Sequence, residues 1–394
     1  MKALVIAPQP FFTPRGTPFS VYYRTLVTAE LGTEVDLLTY GEGEDVDIPG
    51  VRILRAPRFA MLGNVKTGPS MLKLLLDIFL IMKTVFLLIG NRYDFVHAHE
   101  ESVFFARLFK PLFGYKLVYD MHSSLPEQLT NFNYTKSRIL IKTFKWLEDS
   151  CLQSADAVIT ICPALYNYVD DLIENKSKHL LIENSIFDRV RIKWNGSGSS
   201  MVHAENTPEI NFPENAQLIV YAGTLESYQG IDILVDAYGR IATRNADSVL
   251  LVVGGTAEQV SMYSRKAAEN GISSQCIFTG RLPQERAQKY IGMASVLVSP
   301  RSAGINTPLK IYEQLASGIP LVATNIYSHT QVLDDNVAIL VDPDPDDMAR
   351  GLEEALCDDA RRMQIVAAAK KLYEDKYSRP VYTKKIKQLL ELLS

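Results

Sequence analysis

Short apolar runs alternate with helix-like segments along almost the whole chain, and this alternation constrains the fold more than any other feature. In the first half the apolar runs are KALVIA, EVDLLT, VRILRA, FVHAH, KLVYDM, DAVITI and HLLIE. Apolar strands separated by helices form parallel sheets that are covered on both faces. The first half therefore predicts an α/β domain of the Rossmann-like kind.

The pattern breaks between Ser185 and Gln217 and then restarts. The break contains NGSGSS and two prolines, which are typical of a linker, and the later apolar runs are LIVYA, SVLLVV, QCIFTG, SVLVS, IPLVAT and VAILV. A chain of 394 residues is long enough for two hydrophobic cores. We expect two Rossmann-like domains at 1–185 and 217–370, a linker at 186–216, and a C-terminal helix at 371–394 that crosses back towards the first domain.

Composition argues against several classes of protein. Hydrophobic residues make up 47% of the chain and charged residues 22%, which is typical of a globular protein. The net charge of −4 argues against a nucleic-acid-binding protein, since such proteins present basic surfaces to phosphates. The cysteines lie far apart, which argues against a disulfide framework or a zinc site. The chain enters the strand-like ALVIAP directly after Met1-Lys2, with no signal-peptide pattern, so we expect a cytoplasmic protein.

One segment, MLKLLLDIFLIMKTVFLLIG at 71–90, is strongly apolar. Lys73, Asp77 and Lys83 interrupt it, so it makes a poor transmembrane span. Two interpretations remain open: a buried helix, or a helix whose face rests on an anionic membrane, since the stretches 48–76 and 128–147 nearby carry many basic residues.

Four loops rich in polar residues and glycine follow predicted strands. They are PQPFFTPRGTPF, HSSLPEQL, GTLESYQG and RSAGINTP. In open parallel sheets, ligands bind beyond the carboxyl ends of the strands. We therefore expect all four loops to face a ligand-binding cleft between the two domains.

The stretch GINTPLKIYEQLASGIPLVAT at 304–324 predicts a helix that starts near Pro308, with Thr307 as its cap. Lys310 then lies in the first turn, where the helix dipole disfavours a positive charge by about 0.3–1 kcal/mol unless an anion binds there. Helical spacing places Gln314 on the polar side and Ala316 on the core side. The alternative is a surface helix on which Lys310 and Glu313 form a weak ion pair.

Three other patterns are less informative. His97 and His99 alternate onto one face of a predicted strand, which fits either a metal site or a structural role. DPDPDD at 342–347 resembles a metal-binding aspartate pair, but it lies among prolines and reads as a loop and helix start. VVGGT at 253–257 lacks the glycine spacing of a dinucleotide-binding motif, so we expect no nicotinamide cofactor.

Several segments together resemble one family. They are RYDFVHAHEE, LVYDMHSSLPE, SADAVITIC, VYAGTLESYQGIDILVDAY, FTGRLPQE and SPRSAGINTPLKIYEQLASGIPLVAT. Over nearly the whole chain the sequence resembles the family 4 glycosyltransferases of the GT-B fold. The resemblance implies retaining transfer of a hexose-type sugar, without a metal or another cofactor, from a nucleotide diphosphate sugar to a glycan or lipid-linked acceptor. It also implies that the second domain binds the donor and the first binds the acceptor.

The resemblance assigns roles to individual residues. The diphosphate would be the anion beside Lys310, with Arg301 as a second cation that grips phosphate oxygens. Glu313 would accept hydrogen bonds from ribose hydroxyls, and His122 would lie near the transferred sugar. The donor-binding residues are Gly16, Gly223, Arg301, Gly304, Ile305, Asn306, Thr307, Pro308, Leu309, Lys310 and Glu313; the catalytic ones are His122, Arg301 and Lys310; Arg15 and Thr17 would bind the acceptor.

The chain departs from the family pattern at three positions. Ile305 stands where the family commonly has a first glutamate, and Thr224 and Gln229 stand where it commonly has Arg and Lys. The backbone of Ala303 to Asn306 would then hold the sugar hydroxyls. These departures leave two alternatives open: a non-catalytic protein that binds nucleotide sugars, or another enzyme of the same fold such as an epimerase or a phosphorylase.

Overall fold

The computed structural model describes residues 1–13, 16–57, 71–124, 137–184, 186–187 and 210–394. The chain divides into two compact units: unit 1 is Met1–Asn195 with Ser378–Ser394, and unit 2 is Gly196–Tyr377. Arg15 and most of the expected linker lie outside the described residues. The cleft between domains stays a prediction.

Unit 1 contains a parallel sheet in which each apolar run predicted from the first half forms a strand. The strands are β1 (Lys2–Ala7), β2 (Glu34–Thr39), β3 (Val51–Arg55), β4 (Phe95–His99), β5 (Lys116–Met121), β6 (Ala157–Thr160) and β7 (His179–Leu181). They pair in the order β3-β2-β1-β4-β5-β6-β7, every pair parallel. This arrangement confirms the predicted Rossmann-like domain.

Helices cover this sheet. They are α1 (Gly16–Glu30), α2 (Met71–Gly90), α3 (Ser102–Phe113), α4 (Arg138–Ser154) and α5 (Pro163–Leu172), with a short 3₁₀ helix at Lys176–Lys178. One hydrophobic cluster joins strand residues such as Leu4 and Val96 to Leu80 of α2, Leu152 of α4 and Val169 of α5. Helices α2, α3, α4 and α5 therefore pack on a common core, and α2 buries one of its faces there.

Unit 2 repeats the plan with six strands. They are β8 (Gln217–Ala222), β9 (Ser248–Val253), β10 (Cys276–Gly280), β11 (Val296–Ser299), β12 (Leu321–Thr324) and β13 (Ile339–Val341), in the order β10-β9-β8-β11-β12-β13 and again all parallel. Its interior strands are continuous apolar runs because both faces of a parallel sheet are buried.

The helices of unit 2 are α6 (Ile231–Ile241), α7 (Ala257–Glu269), α8 (Gln284–Gly292), α9 (Lys310–Ala316), α10 (Tyr327–Thr330), α11 (Pro345–Cys357) and α12 (Asp359–Lys376), with a 3₁₀ helix at Ser227–Gln229. Helices α6, α7 and α11 share one hydrophobic cluster, whereas α8, α9 and α12 share another. The predicted loop and helix start at DPDPDD are confirmed, since the Asp344 side chain caps α11 by accepting from the amides of Asp346 and Asp347.

The last helix, α13 (Arg379–Leu392), belongs to unit 1 and begins with Pro380 in its first turn. It packs against α1, and Arg379 forms a 2.7 Å ion pair with Glu30 there. Helix α12 ends at Lys376 and α13 begins at Arg379, because a proline is tolerated in the first turn of a helix but not in its interior.

The helix predicted from Pro308 begins two residues later. Helix α9 starts at Lys310 after Leu309, and the first turn is tight, with the amide of Ile311 bonded to the carbonyl of Pro308 at 3.0 Å. The Thr307 hydroxyl finds no hydrogen-bond partner among the described residues, so Thr307 as the cap is wrong. Gln314 is buried and Ala316 is exposed, which reverses the sides expected for these two residues.

Candidate functional site

The strand order places a candidate site in unit 2 without reference to any motif. Chain connections leave β8 in one direction and β11 in the other, so the loops after these adjacent strands diverge at the carboxyl edge of the sheet. Such a switch point is where open α/β sheets bind ligands. The two loops are Gly223–Gly230 and Pro300–Leu309, here called loop A and loop B.

Loops A and B touch each other through backbone atoms. Gly230 has φ of +69°, and a Cβ at this position would lie 1.9 Å from the Pro300 carbonyl oxygen. The amide of Ser302 donates to the Tyr228 carbonyl at 2.9 Å. Only glycine allows this approach, because it has no side chain and tolerates positive φ. The contact fixes the two loops as one surface.

Lys310 is the central side chain of this site. Its Nζ atom is shielded from solvent and finds no hydrogen-bond partner in the part of the chain that the structure describes. It lies 4.0 Å from the centre of the Tyr221 ring, which gives a cation–π contact but no charge balance. Burial, with the positive charge of Arg301 added to it, lowers the pKa of Lys310 to about 7. A buried cation without a carboxylate is costly in the absence of an anion.

No ion pair joins Lys310 to Glu313 within the described residues, so the alternative of a surface pair on this helix is not supported. Glu313 is half-buried and accepts a 3.3 Å hydrogen bond from the Gln288 side chain. Burial raises the pKa of Glu313 to about 7. The carboxyl group can therefore accept a hydrogen bond from a hydroxyl group, and such a bond would stabilise its charged form.

Arg301 shapes loop B from within. Its Nε donates to the Ala303 carbonyl at 2.6 Å and its Nη1 to the Asn306 carbonyl at 3.1 Å, while its guanidinium lies 5.3 Å from the Tyr228 ring centre. Gly304 has φ of +127°, and a Cβ there would lie 2.2 Å from Nη2. Two of the three guanidinium nitrogens are thus used to fold the loop, and the backbone carbonyls of Ala303 and Asn306 are taken by Arg301.

A buried histidine supports loop B from below. His329 Nδ1 donates to the Thr324 carbonyl at 2.8 Å, so its Nε2 accepts from the Ser299 hydroxyl at 3.0 Å. Burial lowers the pKa of His329 to about 4, and it stays neutral at neutral pH. It ties the end of β11 to the end of β12, directly under Arg301, whose carbonyl accepts from the Thr324 hydroxyl.

The other residues expected in loops A and B lie in those loops. The backbone carbonyl of Thr224 accepts a 2.6 Å hydrogen bond from the Tyr221 hydroxyl. The Oε1 atom of Gln229 is buried and has no hydrogen-bond partner among the described residues. Ile305 is exposed, and its carbonyl accepts from the Gln331 side chain at 2.5 Å.

In unit 1 the expected residues lie at the carboxyl edge of the sheet. Gly16 and Thr17 begin α1, and a Cβ on Gly16 would meet no atom within 4 Å, which leaves open space beside it. His122 directly follows β5 and is buried, with its Nε2 3.0 Å from His99 Nδ1. Arg15 lies outside the described residues.

His97, His99 and Asp120 lie within 4.8 Å of one another, a spacing that a metal ion could use. Arg24 already pairs with Asp120 at 2.5 Å inside the same buried cluster. The Arg24 guanidinium already neutralises the Asp120 carboxylate, which a metal ion would need as a ligand. The cluster therefore favours a structural role for the two histidines over a metal site.

Two family models match the chain. The one described as "Glycosyl transferases group 1" matches residues 202–372, and the one described as "Glycosyl transferase 4-like domain" matches residues 25–184. The chain belongs to the family 4 glycosyltransferases. An uncharacterised glycosyltransferase of Methanocaldococcus jannaschii is 24% identical to this glycosyltransferase over 303 residues, which are 73% of this chain and 72% of that one.

Solved structures show that the glycosyltransferase has the GT-B fold. Sucrose-phosphate synthase from Thermosynechococcus elongatus matches with a TM-score of 0.75 at 19% identity, over 100% of this chain and 98% of that one. The Anabaena protein HepE, solved in complex with UDP-glucose, matches with a TM-score of 0.69 at 14% identity, over 99% of each chain. The solved structures confirm the GT-B fold, and the two family models confirm the prediction of a glycosyltransferase.

Sequence reasoning missed several residues that build the site. Tyr221 and Tyr228 provide the ring faces for the two cations, and His329 supports loop B. Tyr221 could have been found, because it is a large polar-tipped residue at the carboxyl end of a predicted strand.

Proposed function

We propose that this enzyme is a retaining glycosyltransferase that moves a hexose-type sugar from a nucleotide diphosphate sugar to a glycan or lipid-linked acceptor without a metal ion. The observation that carries the proposal is the buried amino group of Lys310, which has no hydrogen-bond partner among the described residues and is affected by the charge of a second cation, Arg301. Two neighbouring cations form a site for a group with more than one negative charge. A diphosphate is such a group.

The proposed mechanism uses charge stabilisation rather than a strong base. The bond between the anomeric carbon and the diphosphate oxygen breaks, and Lys310 stabilises the charge that develops on the leaving diphosphate. The acceptor hydroxyl attacks the same face of the sugar, and its proton passes to a leaving phosphate oxygen. Arg301 contributes its positive charge and holds loop B in shape. His122 donates to a sugar hydroxyl, and Glu313 accepts from the ribose.

The test is a thermal-shift screen of uridine, guanosine, adenosine and thymidine diphosphates and their sugars. A ligand that binds only the native state raises its apparent stability. We expect one nucleotide class to stabilise the wild type, and Lys310→Ala to weaken its binding by about 10- to 100-fold, which corresponds to a charge-assisted hydrogen bond of about 1.5–3 kcal/mol.

The unliganded Lys310→Ala protein is expected to melt higher than the wild type, since a buried unpaired charge is lost. Lys371→Ala, which removes an exposed lysine of α12, is the control and should change neither value. A diphosphate that stabilises Lys310→Ala as much as the wild type would contradict the donor site. NMR of the product tests the stereochemistry: an inverted anomeric centre would exclude retention.

We further propose that unit 1 contacts an anionic membrane through α2. Six apolar side chains of this helix are 39–78% exposed: Leu74, Leu75, Ile78, Met82, Phe86 and Ile89. At helical spacing they share about a third of the helix circumference, and no charged residue lies among them. Monomeric proteins rarely expose such a continuous apolar patch. No helix in the described ranges is long and apolar enough to cross a membrane.

Basic residues on a second helix of unit 1 support an anionic lipid as the partner. Helix α4 packs on the same hydrophobic cluster as α2 and exposes Ile139 and Trp146 together with Lys142 and Lys145. Apolar side chains with lysines around them favour the interface of an anionic bilayer. Segment 71–90 combines the two interpretations. One face of the helix is buried in the core, and we propose that the other face contacts the membrane. Nucleotide-sugar use and the lack of any disulfide among the four cysteines support the cytoplasmic side.

A further inference from the structure

Two packed helices of unit 2 bring a second polar side chain to Glu313. Glu313 lies on α9, one turn after Lys310, and Gln288 lies on α8. Both helices bury apolar side chains in one hydrophobic cluster, which includes Tyr290 of α8 and Ile311 of α9. This packing sets the position of Gln288 relative to α9.

The Gln288 side chain is the group that offsets the burial of the Glu313 carboxyl group. Gln288 Nε2 donates to Glu313 Oε1 at 3.3 Å. Burial raises the pKa of Glu313, and the hydrogen bond from Gln288 lowers it. Within the described ranges, no lysine or arginine forms an ion pair with Glu313. The negative charge of Glu313 therefore depends on hydrogen-bond donors rather than on a neighbouring cation.

A bound ribose would supply further donors to this carboxyl group. A ribose carries two neighbouring hydroxyl groups, and an ionised carboxylate accepts hydrogen bonds through both of its oxygen atoms. A hydrogen bond to a charged acceptor is about twice as strong as one between neutral groups. Affinity for the ribose therefore depends on whatever keeps the Glu313 carboxylate charged and oriented before the nucleotide binds.

We propose that Gln288 is a positioning residue that holds the Glu313 carboxylate for the ribose hydroxyls of the donor nucleotide. Gln288 itself does not touch the nucleotide in this role, and it acts through Glu313. The proposal rests on the proposed function, because the contact between Glu313 and the ribose belongs to that function. It adds a determinant of selectivity for donors whose sugar ring carries both hydroxyl groups.

The first experiment measures binding by isothermal titration. The probes are uridine, guanosine and adenosine diphosphates, each paired with its 2′,3′-dideoxy counterpart, which lacks both hydroxyl groups. We expect the nucleotide class that binds the wild type to prefer the ribose form by about 10- to 100-fold, and we expect Glu313→Ala to abolish this preference.

Gln288→Met keeps the length of the side chain but removes the N–H donor. We expect it to lower the ribose preference by about two- to tenfold, the size of one hydrogen bond, with the affinity for the dideoxy form unchanged. A merely structural role for Gln288 would weaken the binding of both forms by the same factor. In the Glu313→Ala background, Gln288→Met should have no further effect, because the two residues act as one unit.

The second experiment changes the charge at position 288. Gln288→Lys supplies an N–H donor again and is expected to retain the ribose preference of the wild type. Gln288→Glu places a second carboxyl group beside Glu313, which disfavours the charged form of Glu313, so the preference should fall below that of Gln288→Met. Thermal melting of each unliganded variant establishes that it is folded, and a Gln288→Lys protein that loses the preference would contradict the proposal.

The failure of this proposal is distinguishable from the failure of the proposed function. A wild type that binds ribose and dideoxy forms equally, or a Glu313→Ala protein that keeps the preference, would overturn both. A preference that Glu313→Ala abolishes but that a folded Gln288→Met protein keeps in full would overturn the role of Gln288 alone. So would equal losses from Gln288→Met in the wild type and in the Glu313→Ala background.

Discussion

At the scale of single residues, Lys310 is destabilising for the unliganded protein and favourable for an anion. Its pKa of about 7 lies below that of a free lysine, so its charge is lost on folding between about pH 7 and pH 10. The unfolded state binds more protons in this range. With respect to this group, the free energy of unfolding is therefore highest above the pKa that Lys310 has in the unfolded state, and it falls as the pH drops towards 7.

The same shift predicts proton uptake when the donor binds. Above pH 7 most Lys310 side chains are neutral, and a diphosphate restores the charged form. At pH 8.5, isothermal titration in two buffers of different ionisation enthalpy is expected to show uptake of close to one proton per bound nucleoside diphosphate. Affinity should fall by about tenfold for each pH unit above 7.

Lys310→Met provides the control, because it keeps the volume of the stem without a titrating group. It should bind weakly, with no proton uptake. Uptake that persists in Lys310→Met would assign the proton to another group, and absence of uptake in the wild type would mean that Lys310 is already charged before the ligand arrives.

Residue-level reasoning from the sequence identified Lys310 because a helix start disfavours a cation, and that argument needs only local spacing. It could not show that Arg301 folds its own loop, since the partners of Arg301 are carbonyl groups whose positions depend on the positive φ of Gly304. Tertiary packing also placed Gln314 inside and Ala316 outside, against the simple helical pattern.

At the scale of elements, α2 gives a direct prediction. Replacement of an exposed apolar side chain by a polar one removes its transfer into lipid, so Phe86→Ser is expected to lower binding to vesicles of anionic phospholipid by about tenfold. Lys142→Gln with Lys145→Gln should weaken binding further and flatten its dependence on salt. Vesicle flotation measures both effects.

The matched control is Met363→Ser, which changes an apolar side chain of similar exposure on α12 in unit 2. It should leave flotation unchanged. The membrane contact would be ruled out if the wild type ignored anionic vesicles, or if zwitterionic vesicles bound it equally and Phe86→Ser had no effect.

The sequence predicted which strands and helices form, but it did not always predict where they begin and end. The apolar runs predicted every strand of both sheets, because parallel strands that are covered on both faces are nearly continuous runs of apolar residues. The start of α9 shifted to Lys310 because loop B, held by Arg301 and the Gly230 contact, carries the chain past Thr307 in a non-helical path. Helix-start residues reflect only local conformational preference, and here the contacts of loop B determine where the helix begins.

At the scale of the whole molecule, each unit has its own sheet and its own hydrophobic clusters. Calorimetric unfolding is therefore expected to show two transitions rather than one. A nucleoside diphosphate without sugar should raise only the transition of unit 2, where Lys310 and Glu313 lie, and Lys310→Ala should abolish the shift.

Separately expressed fragments are not needed for the assignment, because a substitution in each core identifies its transition. Leu234→Ala in unit 2 and Leu80→Ala in unit 1 each remove a fully buried side chain and should lower one transition only. Equal shifts of both transitions by the nucleotide would contradict a donor site confined to unit 2.

The assignment of α13 to unit 1 has a consequence for the order of synthesis. A ribosome completes unit 2 before it reaches Ser378, so the helix that packs on α1 is the last part of unit 1 to exist. At about 5–20 residues per second, α1 and the Glu30 side chain wait about 10–40 s for their partner after the rest of unit 1 has emerged. During that interval the nascent first unit exposes the face that α13 will cover, and a chaperone has a defined surface and a defined time in which to act.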